Sequence, residues 1–180
     1  MTTPDESLRY PIGRFDRDAP LAATDTERHL HTLATFPQHL TELVVPLTAA
    51  QLDSPYRPGG WTLRQVVHHL ADSHLNAYIR LKWALTEDNP TIKAYHEAAW
   101  AELPDGKTAD IALSLPLLAA VHTRWVTVGR ALTAAEFDRT WYHPDRNFTY
   151  TVRQLFAQYD WHSRHHYAHI AYYLGRPFLA

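Results

Sequence analysis

The stretch WTLRQVVHHLADSHLNAYIRLKWALTED, residues 61–88, constrains the fold more than any other part of the chain. Thr62 followed three residues later by Gln65 is the capping-box spacing, in which each side chain satisfies an orphan backbone N–H of the other's residue. Neither Gly nor Pro interrupts the run before Asn89-Pro90, so the spacing predicts one helix of about 25 residues. A helix that long is stable in water only if partners of similar length cover its apolar side.

Three such partners are legible. YTVRQLFAQY at 150–159 repeats the aromatic-Thr-x-Arg-Gln start, and Thr151 with Gln154 opens a helix that runs to Leu174 and is stopped by Gly175 and Pro177. IALSLPLLAAVHTRWVTVGRALT, residues 111–133, forms another, with Pro116 tolerable only near its first turn. TDTERHLHTLATFPQHLTELVVPL, residues 24–47, pairs Thr24 with Glu27 as a capping box and carries Pro37, which predicts a kink or a break. Residues 23–180 thus read as a single all-α domain, a four-helix bundle. Residues 1–22, with Pro4, Pro11, Gly13 and Pro20, read as an extended N-terminal arm anchored by Tyr10 and Ile12 rather than as a helix. Between the long helices, YHEAAWAEL is expected to form a short helix and residues 133–150 a helical turn with a small hairpin.

Function classes narrow by subtraction. Seventeen Lys and Arg against nineteen Asp and Glu, with no run of like charge, give nucleic-acid binding no electrostatic support. With no Cys there is neither a disulfide nor a thiolate ligand, so any metal must be held by His and carboxylate. The N-terminus lacks a basic-then-apolar signal and no run approaches eighteen apolar residues, which gives a cytoplasmic expectation with no membrane partner.

What the chain has instead is YDWHSRHHYAHI, residues 159–170, with four histidines in eight positions. At about 100° per residue, His162 and His166 fall in one sector with Leu155, Tyr159 and Tyr173, the seam that faces the bundle. His169 lies at the edge of that sector and His165 farther out, as residues behind the ligands or on the surface. An i, i+4 pair is two thirds of a three-histidine metal site, and a third donor must come from another helix. The helix that starts at Thr62 offers His68, His69 and His74, and its apolar stripe nominates His74 or leaves the choice open. His122 reads as a core or surface histidine, and Asp72 and Asp160 as solvated carboxylates with a role behind the ligands as the alternative. No His-Glu-x-x-His and no Glu-x-x-His occurs, which disfavours two-metal bundle chemistry.

As a set, the aromatic-Thr start, His-His-Leu-Ala-Asp-Ser-His at 68–74, YHPD at 142–145 and the closing His-x-x-x-His resemble the DinB superfamily, and within it the YfiT-type metal-dependent hydrolases and bacillithiol transferases. The resemblance implies a four-helix bundle in up-down-down-up order and one divalent metal, zinc or nickel, held by three histidines. Carried over by motif, the ligands are His69, His162 and His166, with His74 the alternative on its helix. It also implies a small-molecule substrate, frequent homodimerisation, and activation of bacillithiol or another low-molecular-weight thiol for attack on an electrophile. The apolar Ile79 and Trp83, off the main stripe of their helix, suit either a dimer contact or cover by the N-terminal arm. Hydrolysis by activated water, or a non-catalytic metal-binding stress protein, are the alternatives.

Overall fold

The computed structural model describes residues 4–22 and 24–179, so residues 1–3 of the expected arm lie outside the described residues. Short helix α1 (Pro4–Arg9) precedes the long α2 (Asp25–Val44), one-turn α3 (Ala49–Leu52) and long α4 (Leu63–Thr86). Short α5 (Glu97–Ala101) and α6 (Pro104–Thr108) lead to α7 (Ser114–Ala131), then α8 (Ala134–Phe137), a hairpin of β1 (Thr140–His143) and β2 (Phe148–Thr151), and α9 (Val152–Tyr173). α2, α4, α7 and α9 form the bundle. α2 and α4 each pack against both α7 and α9, so helices that follow one another among the four are not always neighbours and α2 sits diagonally across from α4.

Sequence chemistry explains where the helices start. Thr62 and Thr151 close full capping boxes with Gln65 and Gln154, and each glutamine then uses its free amide on a neighbouring segment. Gln65 donates to the Ala101 carbonyl and Gln154 to that of Arg17. The box expected at Thr24 does not form. Thr24 already has helical angles (φ −64°, ψ −23°), and the Asp25 carboxylate instead accepts the Ala22 N–H at 3.0 Å. Nor does Pro37 break its helix: α2 runs through it, and the carbonyl left without an N–H finds a partner described below.

The arm differs from expectation in opening with a helix, which Pro4 permits because the first position needs no N–H. Beyond α1 it lies along α9 in the opposite sense. The carbonyls of Arg9, Gly13 and Arg17 accept from His169, Trp161 and Gln154 in turn. Tyr10 stacks on His165 with ring centres 5.8 Å apart. The arm does not cover Ile79, which stays 37% exposed.

The hairpin places Trp141 opposite Tyr150, and the two buried rings stack at 4.7 Å; Asn147, at φ +46°, closes its turn. The core falls into two apolar clusters, one including Leu30, Trp125 and Phe156 and the other Phe36, Leu70 and Leu118. Histidines lie between them. Residues 111–131 are long and apolar enough to cross a membrane, yet here they pack as a bundle helix against α2 and α4.

Candidate metal centre

His162 and His166 project from consecutive turns of α9 toward His69 on the adjacent α4. One donor nitrogen from each lies within 4.8 Å of the other two. The Nε2 atoms of His69 and His162 are 3.3 Å apart, roughly the edge of a tetrahedron with metal–nitrogen bonds near 2.0 Å. His69 and His166 are buried while His162 is half-buried.

Backbone carbonyls decide which nitrogen of each ring carries its proton. Pro37 has no N–H, so the Leu33 carbonyl lacks its intrahelical donor. His122 Nδ1 on α7 fills that vacancy and must donate, because a carbonyl only accepts. The Nε2 lone pair of His122 then accepts from His74 Nδ1 at 2.7 Å, and His74 Nε2 accepts from His162 Nδ1 at 3.1 Å. His162 is left with a bare Nε2 lone pair facing His69. The chain Leu33–His122–His74–His162 crosses all four bundle helices.

A second chain does the same for His166. The Arg9 carbonyl fixes His169 as an Nε2–H donor at 3.1 Å, and His169 Nδ1 accepts from His166 Nδ1 at 3.3 Å. That directs the His166 Nε2 lone pair elsewhere. His69 Nε2–H can donate to the bare His162 Nε2 across their 3.3 Å contact. Moving that proton to His69 Nδ1 turns a third lone pair on the same point, where a divalent cation is the natural occupant. The three histidines therefore fit a metal by donor chemistry as well as by spacing.

Electrostatics agree. Burial, joined for His69 by the nearby His169 ring, pushes His69 and His122 down to about 4. His74, His162 and His166 are lowered well below the usual range, first by desolvation and then by neighbouring imidazoles, His122 foremost for His74, His69 for His162 and His162 for His166. All are neutral near pH 7, the state that coordinates metal.

The other candidates sort clearly. His74, which the apolar stripe favoured, stands behind His162 instead of in the triad, sealed between Phe36 and Trp125. His165 and His169 are both buried, so neither is a surface residue. With His166 they make a second group of three within 4.8 Å, but His169 Nε2 is engaged by Arg9. His68 is used structurally by Ser114 and the Ala109 carbonyl. Asp160 is not a solvated carboxylate: it is 1% exposed and accepts from Arg28, His29 and Arg164. Burial alone would raise its pKa, but the His29 and Arg164 hydrogen bonds outweigh that and hold it below the usual range. Asp72 is half-buried, and desolvation with nearby Asp105 raises it to about 6.

The triad opens onto a cavity of about 760 Å³, within the range typical of small-molecule sites. His69, His162 and His166 line it together with Ser73, Arg80 and Trp141. Sequence reading missed Arg80, although it lies eleven residues after His69 and so on the same side of the helix. It also missed the His122 role, for which the one available signal was the carbonyl orphaned by Pro37.

A family model described as the DinB superfamily matches residues 32–170. The chain is 48% identical over 164 residues to YfiT of Bacillus subtilis (strain 168), covering 91% of this chain and 92% of that protein. It is also 48% identical over 170 residues to a Bacillus pumilus (strain SAFR-032) protein, covering 94% and 97%. Both relatives are named, provisionally, as metal-dependent hydrolases. A solved structure of Bacillus subtilis YfiT, described as having an unusual four-helix bundle topology, matches with a TM-score of 0.90 at 45% identity, covering 95% of this chain and 99% of that one.

Proposed function

The chain belongs to the DinB superfamily, and from that premise we propose that it is a mononuclear divalent-metal enzyme that activates a small external thiol for attack on an electrophile. The observation that carries this reading is the pair of hydrogen-bond chains that leave His162 and His166 with Nε2 lone pairs beside His69 at a cavity wall. His69, His162 and His166 hold the ion in this reading, zinc or nickel by donor set. The bound ion supplies Lewis acidity, lowering the pKa of a thiol or a water brought to it.

The chain's own groups favour the thiol. It has no Cys, so the sulfur comes from a low-molecular-weight thiol of the bacillithiol kind. Both carboxylates that line the cavity, Glu97 and Asp145, are exposed, while Asp160 is committed to Arg28, His29 and Arg164. Water activation ordinarily calls on a nearby general base, a part His143 at the cavity wall can play, whereas a thiol begins about 7 pKa units closer to ionisation and needs less help. His74 and His122 orient His162, and His169 orients His166, while the cavity admits substrate. A metal-storage role is disfavoured because a closed structural site needs no adjoining cavity.

The relatives' names favour a second reading, hydrolysis by activated water. Product analysis with metal-loaded protein separates the two. Thiol-dependent dehalogenation of a chlorinated electrophile supports transfer; thiol-independent cleavage of an ester or amide supports hydrolysis.

A further inference from the structure

Arg80 is the one feature of the cavity that the metal chemistry leaves unexplained. The residue is 8% exposed, yet its guanidinium makes no hydrogen bond or ion pair with any described residue. Its close neighbours are rings: Tyr95 and Trp141, each with its centre 5.8 Å from the guanidinium carbon. The chain treats its other buried arginine differently. Arg64, 9% exposed, is held by Asp53 at 2.7 Å and by the Ala109 carbonyl at 2.8 Å. A largely buried guanidinium without a protein acceptor costs free energy that the two rings and cavity water offset only in part, and a bound anion offsets it further.

The cavity provides that access. Arg80 lines it, and its nitrogens are not among the buried side-chain atoms sealed away from any partner. Exposed Arg9, Arg14, Arg17 and Arg146 ring the same cavity, Arg14 paired with Glu6 and Arg17 with Asp18, against the two exposed carboxylates Glu97 and Asp145. Such a rim attracts anions, and the buried guanidinium between aromatic walls offers a planar fork to a carboxylate.

Geometry sets the length of the ligand. Arg80 lies three turns beyond His69 on one face of α4, their backbone positions about 16 Å apart along the axis, with Ser73 between them on the same face. The long Arg80 side chain, leaning back toward the N-terminus of the helix, shortens the gap a ligand must bridge. We propose that Arg80 is the anion-binding end of the substrate cavity, and that the substrate is an extended small molecule whose carboxylate docks there while its reacting end reaches the three histidines. The assignment of the reacting end rests on the metal-enzyme reading above; the Arg80 subsite does not.

Two arms keep these apart. In the first, full-length metal-free protein is titrated calorimetrically with glutarate. Binding that weakens about tenfold or more in Arg80→Met supports the subsite, and binding absent in wild type or unchanged in the variant overturns it. In the second, cobalt(II)-loaded protein is titrated with mercaptohexanoate and mercaptohexanol, read by sulfur-to-cobalt absorption. The acid should bind about tenfold or more tightly than the alcohol in wild type, with the preference lost in Arg80→Met and partly kept in Arg80→Lys. Equal affinities in wild type, or a preference that survives in Arg80→Met, overturn the proposal. If Arg80→Met does not fold, the wild-type acid-to-alcohol ratio decides. Failure of cobalt to bind defeats the metal reading alone, and the glutarate arm still judges Arg80.

Discussion

Replacing His122 by Leu should damage a metal site that His122 does not touch. The substitution removes the acceptor of the His74 Nδ1–H and the donor to the Leu33 carbonyl, both buried. Each orphaned group costs about 1–3 kcal/mol, so the metal-free chain should lose about 2–6 kcal/mol. His74 can relieve its half by moving the proton to Nε2, but that sets two donors face to face across the 3.1 Å contact with His162. His162 must then shift its own proton to Nε2, the nitrogen that faces His69. Metal affinity should accordingly fall about 10- to 100-fold. Pro37→Ala supplies the N–H that Leu33 lacks, so its stabilising effect should be about 1 kcal/mol larger in the His122→Leu background than in wild type. It should leave the metal affinity of that background low. Urea unfolding of the metal-free proteins and competitive metal titration read the two effects separately. Affinity within twofold of wild type in His122→Leu, or affinity restored by Pro37→Ala, would refute the chain of tautomers.

Three further outcomes are expected. In metal-free protein the buried histidines, with His69, His122 and His169 lowered to about 4 and His165 to about 3, are neutral when folded and protonate when unfolded. Their stabilising contribution is therefore complete above pH 6.5 and lost as pH falls toward 4, so the urea midpoint should drop with uptake of more than one proton; a flat profile between pH 7 and 5 contradicts this. Gly129→Ala improves helix propensity by about 1 kcal/mol, but the new Cβ would stand 2.6 Å from Leu30 and 2.8 Å from Phe156. Net destabilisation of about 1–2 kcal/mol is expected by chemical denaturation, and a stabilised variant would show that α7 can move away from its neighbours. Asp160→Asn strips the charge from a buried acceptor of three partners and should cost about 3 kcal/mol in the same assay, while metal stoichiometry measured by elemental analysis stays at wild-type level.

The long helices were readable because their caps and lengths are local facts: Thr62 with Gln65 and Thr151 with Gln154 act within one turn. The i, i+4 pair His162 and His166 was readable for the same reason. What could not be read was cross-helix geometry. The apolar stripe of α4 pointed to His74, because that face is the most buried, yet burial placed His74 behind the triad rather than in it. His69 came from resemblance, not from periodicity, since it borders the cavity and so sits off the apolar stripe. Asp160 was misjudged because the arginines and histidine that bury it come partly from α2, more than a hundred residues away in sequence. Pro37 read as a helix breaker; its structural use is to free one carbonyl that fixes a histidine on another helix.

The central claim is that His69, His162 and His166 hold one divalent ion. Elemental analysis of purified, reloaded wild type beside His69→Ala, His166→Ala and His74→Ala tests it most directly. The account predicts one metal per chain in wild type, none in His69→Ala or His166→Ala, and a weakened but measurable site in His74→Ala. Wild type without stoichiometric metal after reloading, or loss in His74→Ala with retention in His69→Ala, would contradict it.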